Sequence, residues 1–467
     1  MDEKRGAPAY PDGERGGQVA QGIHGGEPAV GTCQWESADR AEAVRRFNDF
    51  VASLQREVFV PRAVVKQTQY ALLCGEHQML FGPSGTGKSF YATSWFQNIT
   101  DQQTFRIQLT DDVREEELFG PINVKGYVEA GEYRHLVEAG IIPATFAYLD
   151  EFMDAPERIQ RSLLSILNER LFIRGGQQEE ACLHSAIATS NRLVWNERTE
   201  AVLDRFSFKC YMADDPNPSL HLLRQRSFER HRGRTVVLPE ARRLPYAVLT
   251  ELTRTVTAPL PNEEIACPAH VILMRDYAID GFVEAVNRER AHSRQGSALP
   301  FRVSPRIRLK SLNVLRASAL LSQRREVAVA DLGELRYMIP IVGGVERQEV
   351  LFEEQLQGVI TQTSARERAQ LDELAAIDER MRVLGEELRE GRWVELSLLE
   401  RVCRYLGILS HGQITYKEIA RSLARMRPAG AVAERYKASV EEALRQSIDE
   451  LSVRADTPLC HFTRERR

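Results

Sequence analysis

The chain has 467 residues, of which 43% are hydrophobic and 27% are charged, with a formal net charge of −4. These values are ordinary for a globular protein, and a chain of this length is expected to form two or three domains. The balance of charge argues against a global basic surface of the kind that binds nucleic acid.

Cysteine and hydropathy patterns narrow the class of protein further. Seven cysteines are scattered along the chain and form no C-x-x-C pair, which argues against a zinc site or a disulfide framework. No stretch approaches 18 consecutive apolar residues, and the N-terminus lacks the apolar segment of a secretory signal. The sequence therefore predicts a cytoplasmic protein that is not inserted in a membrane.

The first part of the chain divides into a tail and two helices. Residues 1–37 are rich in glycine, proline and charge, and the composition predicts a disordered tail. Apolar spacing predicts helices over 38–54 and 62–73. Val60 and Val64 lie just upstream of a glycine loop and are candidates for an adenine pocket, although core packing explains both equally well.

The glycine loop is the most specific motif in the chain. It fits the pattern G-x-x-x-x-G-K-[ST] without a mismatch and lies between an apolar strand and a helix. Its glycines let backbone N–H groups line one concave surface, Lys88 supplies charge to the outer phosphates, and the Ser89 hydroxyl is placed for Mg²⁺. The predicted phosphate-binding residues are Gly82, Pro83, Ser84, Gly85, Thr86, Gly87, Lys88 and Ser89.

Strands and helices alternate after the loop, which predicts a parallel α/β sheet. Strands are predicted over 105–109, 146–149, 185–190 and 208–212, with a helix over 156–171 and a polar excursion over 172–184. Asp150 and Glu151 end the second of these strands, and Asn191 follows the third. Because parallel strands deliver their ligands at their carboxyl ends, these side chains are expected to meet beside the loop.

The strand-end residues suit hydrolysis of a phosphoanhydride, which depends mostly on positioning and charge neutralisation. Asp150 is expected to hold Mg²⁺ through water, and Glu151 is expected to polarise the attacking water. Asn191 is expected to orient that water beside the terminal phosphate. Arg205 and Arg306, taken alone, could each be in a plain surface ion pair, which is the default for an arginine.

Composition divides the chain after the predicted sheet. The breaker cluster at 214–218 marks the end of an α/β core over 38–215. Residues 216–345 are predicted to form an all-α lid, and 346–467 a helical extension that binds a partner or supports an oligomer. Within the extension, a long exposed helix is predicted over 365–390, which either folds back on a helix predicted over 395–409 or is presented to a partner. Packing of the 365–390 helix onto the lid is the alternative. Asp378 is an imperfection in its apolar stripe.

Taken in order, the loop and four later motifs resemble AAA+ ATPases of the MoxR group. These motifs are Leu149–Glu151, Ala188–Asn191, Asp204–Phe206 and Ser304–Arg306. Segments between Glu117 and Phe172 are similar to the RavA subgroup, and the resemblance covers about residues 45–340. It implies a P-loop AAA+ core, binding of ATP with Mg²⁺, and a ring, usually a hexamer, with each ATP site at a subunit interface.

The resemblance also implies roles for particular residues and partners. Arg205 would be the finger that reaches the neighbouring site, and Arg306 the second sensor, which closes the lid against the core. Residues 114–143 would face the pore of the ring, and a partner with a von Willebrand A-type (vWA) domain would be remodelled.

Two other functions stay open. A nucleic-acid motor is opposed by the pI near 6.3 and by acidic residues within 172–184. A nucleotide-locked scaffold of a chelatase-like or gas-vesicle-like assembly is opposed by the intact Glu151 and Arg205.

Overall fold

A computed structural model describes most of the chain. The described residues are 37–131, 133–174, 176–192, 202–213, 217–259, 262–292, 300–343, 347–389 and 411–455. Residues 1–36 of the tail predicted to be disordered and the helix predicted over 395–409 lie outside them. Among the helices of these ranges, none combines the length and hydropathy that a membrane span requires.

The centre of the molecule is a five-stranded parallel sheet. The nine strands of the described residues are β1 Gln78–Phe81, β2 Ile99–Thr100, β3 Thr104–Gln108, β4 Phe146–Asp150, β5 Leu171–Arg174, β6 Gln177–Glu180, β7 Ser185–Ser190, β8 Phe208–Tyr211 and β9 Leu244–Pro245. The strand order of the large sheet is β3-β4-β7-β1-β8. Every pairing within the large sheet is parallel, so the strands share one carboxyl edge.

Helices cover both faces of the sheet. Those in and around the core are α1 Ser37–Gln55, α2 Arg62–Cys74, α3 Lys88–Gln97, α4 Glu115–Phe119, α5 Val124–Ala130 and α6 Glu157–Glu169. Alternate residues of β1 point to opposite faces, so Leu80 joins the cluster of α1–α3, while Met79 and Phe81 join the cluster of α6. A strand buried on both faces explains the continuous apolar run before the glycine loop. The predicted α/β core is confirmed.

The segment predicted as a polar excursion contains an antiparallel hairpin, β5–β6, in which Arg174 pairs with Gln177. Phe172 is buried, and its ring lies 4.9 Å from that of Phe119 in α4. The Gln177 side chain accepts from the His135 backbone N–H at 2.8 Å and donates to the His135 carbonyl at 3.1 Å. The hairpin therefore packs against the segment between β3 and β4 that contains α4 and α5.

The region after residue 217 is helical. Its helices are α7 Pro218–His231, α8 Tyr246–Thr257, α9 Ala269–His292, α10 Pro305–Leu321 and α11 Gln348–Gln362. This region joins the core through polar bonds as well as through apolar packing. Lys310 of α10 pairs with Glu76 at 2.6 Å, and the Gln67 amide donates to the carbonyls of Lys209 and Tyr337.

The helix predicted over 365–390 is present, but the prediction that it is exposed is wrong. The last described helices are α12 Ala365–Arg389, α13 His411–Arg425 and α14 Ala431–Ala455. Leu371 and Leu374 of α12 are fully buried, and α12 packs against α9, α13 and α14. Asp378 accepts a hydrogen bond from the Tyr436 hydroxyl at 3.0 Å. A narrow apolar stripe suits a small helical bundle, where each helix has few neighbours.

We expect Leu371→Ala to lower the free energy of unfolding by about 2–5 kcal/mol, because Leu371 belongs to the same apolar cluster as α9 and α11. Val383→Ala is the matched control, because Val383 lies on the same helix and is 39% exposed. Chemical denaturation of the two variants provides the measurement. Equal stability of both variants would show that α12 is not part of this core.

Candidate active site

The glycine loop connects β1 to α3 at the carboxyl edge of the sheet. Gly82 has φ 142°, and a Cβ there would lie 2.2 Å from the Met212 carbonyl oxygen. Only glycine therefore fits where the loop passes the end of β8. Gly85 and Gly87 have φ 85° and 88°, with open space around the position of a Cβ. The loop thus keeps a concave side open in front of the positive end of α3.

Lys88 is the first residue of α3 and is 7% exposed. Its ammonium group donates to the carbonyls of Gly82 and Pro83, at 2.6 and 2.8 Å, and to Asn191 Oδ1 at 3.2 Å. Burial lowers the pKa of Lys88, and the charges of Asp150 and Glu151 oppose that shift. A cation held against an open, glycine-lined loop suits a phosphate ligand.

Ser89 and Asp150 provide oxygen atoms suited to Mg²⁺. The Ser89 hydroxyl lies 3.4 Å from Asp150 Oδ2, and the Thr189 hydroxyl donates to Asp150 Oδ1. The described residues contain no cluster of three or more His, Cys, Asp or Glu side chains that could hold a metal by themselves. This donor set still fits Mg²⁺, because Mg²⁺ at phosphate sites takes one or two protein oxygens and keeps waters.

Glu151 follows Asp150 with a left-handed φ of 55°. Its two carboxylate oxygens each accept a hydrogen bond from an amide. The Gln108 side chain donates to Oε2 at 3.0 Å, and the Asn191 side chain donates to Oε1 at 3.3 Å. Asn191 also contacts Lys88, so hydrogen bonds connect the loop cation to the predicted base. The structure thus brings together the predicted residues Lys88, Ser89, Asp150, Glu151 and Asn191.

Gln108 was missed by the sequence analysis. It ends the edge strand β3 and pairs in register with Asp150 of β4. Within the segment predicted as a strand, Arg106 and Gln108 are both exposed polar side chains, and nothing local distinguishes Gln108. Only the pairing of β3 with β4 brings it to Glu151. The only sequence signal for Gln108 is that it is a polar residue at the end of the strand that precedes the strand of Asp150.

We expect Gln108→Ala to raise kcat for nucleotide hydrolysis by about twofold to tenfold, with KM little changed. The bond occupies an oxygen that the base needs, and a bond of this kind contributes about 0.5–1.5 kcal/mol. Asn191 still orients the carboxylate. Thr104→Ala, on the same exposed side of β3, is the control. A steady-state assay of phosphate release that gave an unchanged or lower kcat would contradict this role.

A cavity of about 410 Å³ opens beside the glycine loop. Its lining includes Val60, Gly87, Phe90 and, from α7, His221 and Phe228. Of the two adenine-pocket candidates, Val60 therefore lines this cavity, whereas Val64 is fully buried in the core. The size and the apolar lining suit a nucleoside next to a phosphate site.

Arg205 lies at the amino edge of the sheet, opposite the carboxyl edge that carries the glycine loop. It precedes β8, whereas the glycine loop follows β1, and Gln78 to Phe81 of β1 pair with Phe208 to Tyr211 of β8. Strands of this length span about 13 Å. Asp204 pairs with Arg205 at 3.6 Å and with Arg306 at 2.8 Å. Burial and the nearby Arg306 guanidinium lower the pKa of Arg205.

Arg306 of the lid contacts the residue beside Arg205. The sequence analysis expects Arg306 to be the second sensor, which closes the lid against the core, and that role stays a prediction. The structure places Arg306 on Asp204, at the amino edge of the sheet, and Lys310 on the same helix is tied to Glu76. Asp204 precedes β8, so the lid helix that carries Arg306 is anchored at the end of the sheet opposite the glycine loop.

Residues 45–241 match the family model described as the MoxR domain in the MoxR-vWA-beta-propeller ternary systems. Uncharacterized protein MJ0812 of Methanocaldococcus jannaschii is 31% identical over 139 residues, which cover 30% of this chain and 37% of that protein. Chaperone MoxR1 of Mycobacterium tuberculosis is 25% identical over 207 residues, which cover 44% of this chain and 53% of that protein. The chain thus spans little more than a third of MJ0812 and about half of MoxR1.

A crystal structure of a candidate ATPase from Cytophaga hutchinsonii is similar in fold, with a TM-score of 0.50 and 18% identity. The structural match covers 69% of this chain and 95% of the chain of the Cytophaga hutchinsonii protein. Over residues 45–241 this chain is therefore similar to MoxR domains, and it shares its fold with the solved structure.

Proposed function

We propose that this protein hydrolyses ATP to ADP and phosphate. The observation that carries the proposal is the bonded series Lys88–Asn191–Glu151 at the carboxyl edge of the sheet. Lys88 binds the outer phosphates of ATP, Glu151 accepts the proton of the attacking water, and Asn191 orients that water. Mg²⁺, held by Ser89 and Asp150, would neutralise phosphate charge when bound.

The complete site lies between two subunits of a ring, for which a hexamer is the expected form. Support comes from the position of Arg205, which precedes β8 while its own glycine loop follows the paired strand β1. An arginine at the amino edge suits a neighbour's phosphates better than its own. Arg306 shares Asp204 with Arg205 and is assigned to the same interface.

The ring acts on another protein in the manner of a chaperone, and the partner carries a vWA domain. The family model of residues 45–241 is described from ternary systems of MoxR, vWA and β-propeller proteins, which supports this partner class. Chaperone MoxR1 supports remodelling rather than transport along nucleic acid. Membership of the RavA subgroup rests on the motifs between Glu117 and Phe172 alone.

The partner is tested with the vWA-domain protein encoded closest to this gene. We expect the Glu151→Gln variant with ATP and Mg²⁺ to co-elute with it in size-exclusion chromatography, because this variant holds ATP without turnover. Lys88→Ala is the control, and we expect it to co-elute weakly or not at all. Equal retention by both variants would contradict a nucleotide-dependent partner complex.

A further inference from the structure

Lys209 of β8 is a buried cation that the nucleotide site does not use. It is 8% exposed and lies on the face of β8 opposite Phe208 and Cys210, which belong to the cluster of α1–α3. Removing a charge from water is unfavourable unless the charge is paired or hydrogen-bonded. Burial lowers the pKa of Lys209 to about 8, and the charge of Asp204 opposes that shift. The contacts of this ammonium group therefore have to compensate for its burial.

The ammonium group of Lys209 is directed at the segment that carries Arg205. It donates to the Phe206 carbonyl at 2.7 Å and lies 3.4 Å from the Leu203 carbonyl. These two carbonyls precede and follow Arg205 in the chain. One cation therefore connects both ends of the short segment from which the Arg205 side chain leaves the core.

Other contacts fix the same segment on its core side. The Arg205 backbone N–H donates to the Val202 carbonyl at 3.0 Å. The Phe206 backbone N–H donates to the Leu203 carbonyl at 3.2 Å. The Phe206 ring is fully buried and packs edge-to-face on Phe152, with 5.3 Å between the ring centroids. The Arg205 side chain, in contrast, is 26% exposed, so it reaches the surface from a backbone that is held in place.

We propose that Lys209 is a positioning residue for Arg205, because its ammonium group holds the Leu203–Phe206 segment that directs the guanidinium towards a neighbouring subunit. This inference rests on the proposed action of Arg205 across the interface. An apolar side chain at position 209 would leave the buried Phe206 carbonyl without this donor, which favours rearrangement of the segment. A displacement of about 1 Å at a reacting centre can cost about 10²-fold in rate.

The first test measures Lys209→Met by itself. We expect ATP turnover to fall by about tenfold to 100-fold, whereas the affinity for a fluorescent ATP analogue should change less than about twofold, because the glycine loop lies at the opposite edge of the sheet. Cys210→Ala, a buried change on the other face of β8, is the control and should keep turnover near the wild-type rate. Lys209→Gln, with a shorter side chain, takes the place of the methionine variant if that variant does not fold. Unchanged turnover would overturn the proposal.

Mixed rings separate a positioning role from a general loss of stability. A Lys209→Met subunit keeps its own Glu151, so it should form a working site beside a Glu151→Gln neighbour, whose Arg205 is intact. We therefore expect this mixture to exceed the summed activity of its components. Lys209→Met mixed with Arg205→Ala should not exceed that sum, because every subunit then has a defective Arg205. Recovery in both mixtures, or in neither, would refute the positioning role.

A reference mixture of Arg205→Ala with Glu151→Gln distinguishes this inference from the function on which it rests. If the reference mixture stays inactive, Arg205 does not act across the interface, and both hypotheses fail. If it recovers while Lys209→Met with Glu151→Gln does not, the action of Arg205 stands and only the role of Lys209 is wrong.

Discussion

Glu151→Gln is expected to bind ATP as tightly as the wild-type protein and to lose about 10²- to 10⁴-fold in kcat, the range that a positioned general base supplies. The amide keeps the size of the side chain and can still meet Gln108 and Asn191 after rotation. It cannot accept a proton from water. The loss should therefore fall on kcat and leave binding intact.

Lys88→Ala is expected to show the opposite pattern. Its ammonium group holds the loop through Gly82 and Pro83 and carries the charge that meets ground-state phosphates. Its removal should abolish detectable binding of a fluorescent ATP analogue. Phosphate release and analogue binding are measured side by side, with Glu157→Gln, an exposed change at the start of α6, as the control. Turnover near the wild-type rate in Glu151→Gln would show that another group is the base.

The sequence alone predicts the parts of this site that depend on local motifs. The glycine loop, the acids after β4 and the asparagine after β7 each follow an apolar strand, and parallel strands bring their carboxyl ends to one edge. No knowledge of strand order is needed for that conclusion. The same reasoning predicts that Asp150, Glu151 and Asn191 lie close together, and Asn191 does donate to Glu151.

Other features depend on pairings that no local pattern contains. Gln108 reaches Glu151 only because β3 lies beside β4 in a particular register. The lid helix with Arg306 is anchored through Glu76 and Asp204, two acids that are separate in sequence and lie before β1 and β8. The burial of Leu374 in α12 depends on a bundle with α13 and α14. Apolar spacing predicts such a helix but not the surface that covers it.

Arg205→Ala is expected to lower ATP turnover by about 10³-fold, the scale of an arginine that stabilises charge on the transferring phosphoryl group. ATP binding should change little, because the glycine loop and Lys88 are untouched. Arg161→Ala, an exposed arginine of α6, is the control. In the wild-type protein, activity per subunit should fall on dilution, because separate subunits have incomplete sites.

Mixing variants tests whether Arg205 acts across an interface. Arg205→Ala and Glu151→Gln subunits are each nearly inactive alone. In mixed rings, some interfaces join the intact Glu151 of one subunit with the intact Arg205 of its neighbour, so part of the activity should return. A mixture that stays inactive, or wild-type activity that is independent of concentration down to the monomer, would refute action across the interface.

The same mixing experiment decides the side on which Arg306 acts. If Arg205 and Arg306 serve the same neighbouring site, as their shared contact with Asp204 indicates, every subunit in a mixture of Arg205→Ala and Arg306→Ala presents a defective pair. That mixture should stay inactive. If Arg306 instead served its own glycine loop, an Arg205→Ala subunit beside an Arg306→Ala neighbour would form one complete site. Recovered activity in that mixture would show that Arg306 acts on the nucleotide of its own subunit. If Arg306 instead acts on the neighbouring site, a mixture of Arg306→Ala and Glu151→Gln subunits should recover activity.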